Sequence, residues 1–79
     1  MTRDEIFTQV TTILSDLFEV PVEDITMDSK LYEELDLDSI DAVDLVVQLK
    51  NALQKDIEPS VFRKVRTVRD VVDVIENLS

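Results

Sequence analysis

The sequence predicts an all-α fold: a four-helix bundle of three longer helices and one short helix, with a long ordered loop between helices one and two. Three segments carry apolar residues at spacings of three and four, which is the period of a helix buried along one face. A capping residue or a proline stands at the expected start of each helix. The 79 residues leave room for a single domain, so we assign positions 1–79 to one unit.

The first helix is predicted to begin after Thr2 and to end before Pro21. Thr2 followed by Glu5 fits a capping box, in which each side chain accepts the backbone N–H of the other residue. Pro21 disfavours helical backbone at Val20 and so prevents the helix from continuing. The apolar face of this helix comprises Ile6, Phe7, Val10, Ile13, Leu14, Leu17 and Phe18.

Residues 19–38 show no sustained period and are expected to form the long loop. Such a connection is long for a compact domain and needs apolar anchors to stay packed. The anchors available in this segment are Val20, Val22, Ile25, Met27, Leu31, Leu35 and Leu37. We therefore expect an ordered loop with one helical turn near Leu31 to Leu35.

The second helix, predicted from about Ser39 to Leu53 with Asp38 as its cap, has two apolar faces. The broader face is expected in the core and comprises Ala42, Leu45, Val46, Leu49, Ala52 and Leu53. The opposite face carries Ile40, Val43 and Val47, bordered by Asp41 and Asp44. An exposed apolar stripe rimmed by acids is typical of a protein-binding surface. Alternatively, the loop or the short helix covers Val43 and Ile40.

Two further helices are expected after a polar break at residues 54–58. Pro59 suits the first position of a short third helix. The inward residues of that helix would be Val61, Phe62 and Val65. Thr67 with Asp70 is expected to cap the last helix. The β-branched residues of this segment would also suit a strand, but the apolar residues recur at helical spacing, which favours a helix. The residues expected on its buried face are Val68, Val71, Val72, Ile75 and Leu78.

Composition excludes most enzyme classes. The chain has no histidine, cysteine or glycine, so it lacks the usual general base, a thiol nucleophile and a Gly-rich phosphate loop. Its formal net charge of −10 disfavours nucleic acid and favours basic protein surfaces as partners, although a need for solubility could also explain it. No apolar run exceeds the three residues Leu45 to Val47, which predicts no membrane span and a cytoplasmic protein.

Several carboxylates surround Ser39 where the loop meets the second helix. A calcium loop of the EF-hand type is excluded, because Ile40 and Asp41 occupy the places of the fifth-position ligand and the glycine. Taken alone, Ser39 could simply cap the helix. Its context is more specific: residues 32–46, YEELDLDSIDAVDLV, closely resemble the phosphopantetheine attachment region of acyl carrier proteins. Length, charge and helix order are similar to that family over essentially the whole chain.

The resemblance implies a carrier rather than an enzyme. Ser39 would hold a 4′-phosphopantetheine arm, transferred from coenzyme A by a phosphopantetheinyl transferase, and acyl groups would ride on the arm as thioesters. The other implied partners of this monomer are acyl-transfer and chain-elongation or modification enzymes with basic docking patches. The implied docking residues are Asp38, Ile40, Asp41, Asp44 and Val47. The implied acyl-chain cleft is lined by Val46, Leu49, Phe62 and Val65.

Two departures from the family pattern bear on the pathway. Asp36 stands where the family usually has glycine, and aspartate tolerates the left-handed backbone expected there better than most residues. Lys50 and Asn51 interrupt the run of acids that many fatty-acid carriers have along the second helix. Fatty-acid biosynthesis stays possible, and these residues favour a specialised fatty-acid-like or polyketide route, for example aryl-polyene synthesis.

Two alternative functions are left open by the sequence. The first is an acidic helical interaction module without a prosthetic group, in which Ser39 serves only as a cap. The second is a carrier of amino acids or peptides, which more often has two glycines before the histidine or aspartate that precedes its serine. Residues 35–39 do not match that pattern.

Overall fold

The computed structural model describes residues 2–78, apart from the side chains of Pro59 and Val61, and this part of the chain is helical. Its α-helices are α1 (Arg3–Phe18), α2 (Ser39–Leu53) and α3 (Val68–Asn77). Within the described residues there is no β-strand, only one isolated bridge between Lys30 and Thr67. The predicted all-α class is confirmed.

Two short 3₁₀ helices complete the secondary structure. Val22–Asp24 lies in the first connection and was not expected from the sequence. Pro59–Lys64 lies where the short third helix was predicted, and proline opens it as expected. Its turns are tighter than those of an α-helix, so side chains three residues apart lie above one another. Phe62 is buried, as is Val65 just after the segment, whereas the predicted inward side chain of Val61 lies outside the described residues.

Capping boxes start all three α-helices. At α1, the Thr2 hydroxyl accepts the N–H of Glu5 at 3.1 Å, and the Glu5 carboxylate accepts the N–H of Thr2 at 3.0 Å. At α3, Thr67 and Asp70 exchange the same two bonds at 3.3 and 3.1 Å. Both boxes confirm predicted helix starts, and a cap of this kind stabilises a helix by about 1 kcal/mol.

The Asp70 carboxylate accepts more than its own capping bond. It also accepts the backbone N–H of Arg66 at 3.0 Å. This hydrogen bond is the largest of the effects that lower the pKa of Asp70 below its ordinary value, with the bonds from Thr67 and the charge of Arg69 acting in the same direction. The ionised carboxylate is therefore part of what holds the chain at the entry to α3.

The buried apolar side chains form one cluster, to which every α-helix contributes. α1 packs against both α2 and α3, and Arg3 reinforces its contact with α3 by pairing with Asp73 at 2.7 Å and Glu76 at 3.1 Å. The residues of the cluster that lie in α-helices are Ile6, Val10, Leu14, Leu45, Val46, Leu49, Val68, Val71, Val72 and Ile75. Each such side chain contributes roughly 1.5–3 kcal/mol when fully buried.

Three expected core residues lie at the surface instead. Val22 is 49% exposed because it sits in the unexpected 3₁₀ turn rather than in an extended anchor. Ala52 is exposed in the last turn of α2, at the edge of the predicted apolar face. Leu78 is exposed because α3 ends one residue before it.

Backbone hydrogen bonds tie the connection between α1 and α2 to the start of α3. The N–H of Leu31 donates to the carbonyl of Arg66 at 2.9 Å, and the N–H of Val68 donates to the carbonyl of Ser29 at 3.0 Å. Ile25, Leu31 and Leu37 are buried beneath this connection. A hydrogen-bonded turn spans residues 31–34, in the place where one helical turn was predicted. The segment that leads to Ser39 is therefore anchored to the start of α3.

Candidate functional site

Ser39 is the first residue of α2, and its side chain is exposed. It is not the cap of the helix, because Asp38 fills that position. The Asp38 carboxylate accepts the N–H of Asp41 at 2.9 Å, and the Asp41 carboxylate accepts the N–H of Asp38 at 3.2 Å. The Ser39 hydroxyl makes no hydrogen bond to any residue from 2 to 78. A capping role for Ser39 is thus wrong, and its hydroxyl is free for chemistry.

The turn before α2 sets the direction in which Ser39 points. Asp36 has φ 58°, the left-handed backbone expected at this position. Leu37 follows it and is buried, and its N–H donates to the carbonyl of Leu31 at 3.1 Å. The left-handed Asp36 and the buried Leu37 thus lie just before α2. The exposed Ser39 follows in the first turn of that helix.

A cavity of about 410 Å³ opens beside Ser39, between α2 and the second 3₁₀ helix. Ser39, Ala42, Val43 and Val46 line one side at spacings of three, four and seven, which is one stripe of α2. The remaining described lining residues are Tyr32, Ser60, Phe62 and Arg63. Its volume lies within the range of pockets that hold small ligands.

Two of the four residues expected in an acyl-chain cleft lie along this cavity. Val46 and Phe62 line it, whereas Leu49 and Val65 are buried in the core and are not among its described lining residues. Tyr32, Ser60 and Arg63 were not expected in the cavity from the sequence. The spacing of three between Ser60 and Arg63 is the available signal, because such residues share one face of a 3₁₀ helix.

The second apolar stripe of α2 is exposed, as predicted. Ile40 is 76% exposed, Val43 48% and Val47 44%, so neither the loop nor the 3₁₀ helix covers this face. Val43 also belongs to the cavity lining, which makes the stripe continuous with the cavity.

The acids beside this stripe have different surroundings. Asp38 and Asp44 are exposed, whereas Asp41 is partly buried and engaged in the capping box. Further along α2, Lys50 pairs with Asp56 at 3.6 Å. Negative charge on this face is therefore concentrated in the first half of the helix.

The described residues include neither a membrane-spanning helix nor a side-chain cluster suited to a metal ion. No helix in residues 2–78 is both long and apolar enough to cross a membrane. Among the same residues, no cluster of three or more acidic, histidine or cysteine side chains is arranged to hold a metal ion.

Comparison with known proteins identifies the family. Residues 8–75 match the family described as a phosphopantetheine attachment site. The chain is 41% identical over 78 residues to acyl carrier protein 2 of Ralstonia nicotianae, covering 99% of this chain and 96% of that protein. It is 39% identical over 77 residues to the acyl carrier protein of Coprothermobacter proteolyticus, covering 98% of this chain and 94% of that protein. The corresponding protein of Lactobacillus acidophilus is 34% identical over 77 residues, with 98% and 96% covered. The chain therefore belongs to the acyl carrier protein family: it is a carrier and not a catalyst, and it bears acyl groups on a covalently bound 4′-phosphopantetheine.

Proposed function

We propose that Ser39 is the attachment residue and that α2 presents it to partner enzymes. One observation supports this above all others. Ser39 is exposed in the first turn of a helix and borders a cavity, and Asp38 rather than Ser39 caps that helix. These features suit a residue that carries a covalent arm whose cargo can fold back onto the protein.

The surroundings of Ser39 fit a phosphodiester. The N–H groups of Ser39 and Ile40, the first two residues of α2, have no intrahelical acceptor, and the positive end of the helix dipole lies here. Both favour an anion at this end of the helix. Asp38 and Asp41 oppose it by their charge, but their carboxylates are already held by backbone donors of the capping box.

The chain does not need its own catalytic base for loading. In the proposed reaction the Ser39 oxygen bonds to the phosphorus of coenzyme A that bears the pantetheine, the pyrophosphate bond of coenzyme A breaks, and adenosine 3′,5′-bisphosphate leaves. The phosphopantetheinyl transferase accepts the hydroxyl proton. When bound, the prosthetic group supplies the thiol that holds acyl cargo, which agrees with the absence of cysteine and histidine from the chain.

The exposed stripe of α2 is the proposed docking surface. Ile40 and Val47 offer apolar contact, while Asp38, Asp41 and Asp44 attract basic patches on the transferase and on the acyl-transfer, elongation and modification enzymes. Because Lys50 follows these acids, a matching partner would concentrate its positive charge against the first half of the helix.

The cargo cleft, the pathway and the assembly complete the proposal. Val46 and Phe62 would line the cleft, with Leu49 and Val65 supporting it from the core. Lys50 and Asn51, which interrupt the run of acids along α2, favour a specialised fatty-acid-like or polyketide pathway over general fatty-acid biosynthesis. The proposal further includes a single domain in the form of a four-helix bundle, with Pro59–Lys64 as its short helix, acting as a cytoplasmic monomer.

Intact mass spectrometry after incubation with a broad-specificity phosphopantetheinyl transferase and coenzyme A tests the attachment site. We expect the wild type to gain one phosphopantetheinyl group and Ser39→Ala to gain none. The matched control is Ser60→Ala, which removes another hydroxyl from the same cavity and should load normally. Circular dichroism should show unchanged helicity in both variants. Loading of folded Ser39→Ala, or no loading of the wild type beside a control carrier that loads, would contradict the proposal.

A further inference from the structure

The cavity beside Ser39 is lined mainly by apolar surface, but polar side chains also reach it. Val46 and Phe62 are among its apolar residues, but three of the seven described lining residues other than Ser39 end in hydrogen-bond donors: Tyr32, Ser60 and Arg63. A saturated acyl chain would cover these donors without giving them an acceptor, and burying an unpaired polar group is unfavourable.

Arg63 is the most informative of the three. Its guanidinium makes no ion pair or hydrogen bond with any described residue. Among the described residues, four of the eight basic side chains of the chain pair with a carboxylate. These four are Arg3, Lys30, Lys50 and Arg69. Lys55 and Lys64 share with Arg63 the lack of such a partner among the described residues, but neither is among the described lining residues of this cavity. A planar five-donor group at the edge of a cavity is suited to binding a carboxylate or a pair of carbonyl oxygens.

The other two donors stand in the same cavity. Ser60 makes only a long bond of 3.5 Å to Glu58, and the Tyr32 hydroxyl makes none within residues 2–78. Both donors can therefore turn to a ligand without losing a strong interaction. Ser60 and Arg63 also lie three residues apart on the 3₁₀ helix, so that they face the cavity together.

We propose that Arg63, assisted by Ser60 and Tyr32, selects an acyl cargo that carries its own acceptor oxygens, foremost a carboxylate. The inference rests on the proposed attachment at Ser39 and specifies the cargo class of that site. An unsubstituted aliphatic chain would occupy the same cavity without these contacts. The net charge of −10 disfavours an anionic cargo, and Arg63 supplies a local attraction at the cavity itself.

The test compares two six-carbon cargoes, adipoyl and hexanoyl, loaded on Ser39 from their coenzyme A thioesters. Intact mass first verifies loading of every sample. We then measure the melting temperature by circular dichroism and the Arg63 Nε–H resonance by NMR. In the wild type the adipoyl form should melt higher than the hexanoyl form by roughly 2–6 °C, the range for a partly exposed charge-assisted contact in a domain of this size. The Arg63 resonance should shift only in the adipoyl form.

Matched variants separate Arg63 from general charge effects. Arg63→Gln should abolish the difference in melting temperature between the two cargoes. Lys64→Gln removes the same charge from the neighbouring residue, which is not among the described cavity residues, and should keep the difference. If Arg63→Gln fails to fold, two other measurements test the proposal. Arg63→Lys should reduce the difference in melting temperature between the two cargoes. The NMR shift of Arg63 in the wild type needs no variant.

Three outcomes would overturn the cargo inference. They are equal melting of the two loaded wild-type forms, equal loss of the difference in Lys64→Gln, and a shift of the Arg63 resonance already complete in the arm-bearing protein without cargo. The last would mean that Arg63 binds the phosphodiester of the arm instead. A wild type that cannot be loaded contradicts the attachment at Ser39, so failure of the two proposals is distinguishable.

Discussion

Asp41 and Asp44 stand on the same acidic face of α2, but the structure gives them different roles, and charge reversal should reveal the difference. Asp41 accepts the N–H of Asp38 at 3.2 Å and closes the capping box. Asp44 is exposed and makes no bond to any described side chain. Lysine at position 41 should therefore damage both stability and docking, whereas lysine at position 44 should damage docking alone.

The size of the stability effect follows from the contacts. Asp41→Lys removes one of the two bonds of the box, worth about 0.5–1 kcal/mol. It also replaces a favourable charge near the helix N-terminus with an unfavourable one, which costs roughly another 0.3–1 kcal/mol. The sum of about 1–2 kcal/mol should lower the melting temperature by roughly 5–10 °C in a domain of this size. Asp44→Lys should change the free energy of unfolding by less than about 0.5 kcal/mol.

The assay measures the initial rate of phosphopantetheine loading against salt concentration. Each reversal should slow loading about three- to tenfold at low ionic strength, and the deficit should shrink towards 1 M salt, where the Debye length is about 3 Å. Asp16→Lys, an exposed reversal on α1, makes the same change in net charge away from α2 and should load at close to the wild-type rate. Asp41→Asn keeps a hydrogen-bond acceptor at the box and should recover most of the lost stability.

The result that would refute this reasoning is specific for each claim. If Asp44→Lys loads at the wild-type rate at low salt, or if Asp16→Lys slows loading as much, the docking face is not on α2. If both lysine variants melt at the same temperature, the capping box contributes nothing measurable, and the contrast drawn between the two acids is wrong.

Three further predictions concern the fold. Leu49→Ala should lower the free energy of unfolding, measured by urea denaturation, by about 2–5 kcal/mol, because the Leu49 side chain is fully buried. Val47→Ala on the exposed face should lower it by less than about 1 kcal/mol. Equal losses in the two variants would contradict the assigned faces. Asp36→Gly should preserve or raise the melting temperature and Asp36→Val should lower it, because φ is 58°; the reverse order would exclude left-handed backbone there. The lowered pKa of Asp70 contributes stability that is present above the ordinary carboxyl pKa of about 4 and is lost as pH falls through the folded value. Asp70→Asn should therefore lose less stability than the wild type between pH 6 and 3, and an unchanged acid profile would count against this.

Much of the fold was predictable because its signals are local. Helix starts at Thr2, Asp38 and Thr67 follow from side chains that bond to backbone groups three residues away, and this chemistry needs no knowledge of the tertiary structure. Apolar spacing located the buried faces of the helices for the same reason. Errors occurred where one turn decides burial, as at Val22 and Ala52, because a local change of backbone there moves a side chain from core to solvent.

The site was predictable only in part. The stripe of α2 that carries Ser39, Val43 and Val46 is periodic and can be read from the sequence. On the opposite side of the cavity lie Phe62 and Arg63, which follow Ser39 by 23 and 24 residues, and Tyr32, which precedes it by seven. Their meeting depends on how the loop and the 3₁₀ helix pack against α2, which no periodicity in the sequence records. The polar residues in the cavity lining therefore could not be predicted.

Asp38, which precedes the proposed attachment residue Ser39, affects the chemistry by more than its charge. A serine at the start of a helix ordinarily turns its hydroxyl onto the backbone N–H groups of the first turn. Here Asp38 takes that place, so the Ser39 hydroxyl stays unbonded while the N–H groups of the first two residues stay open to an anion. The same carboxylate thus starts the helix, frees the hydroxyl and leaves room for a phosphate, although its own charge opposes that phosphate. The Asp38 carboxylate accepts the backbone N–H of Asp41 at the positive end of the helix dipole. This hydrogen bond and the dipole partly offset the negative charge of Asp38, so the repulsion between Asp38 and a phosphate is reduced.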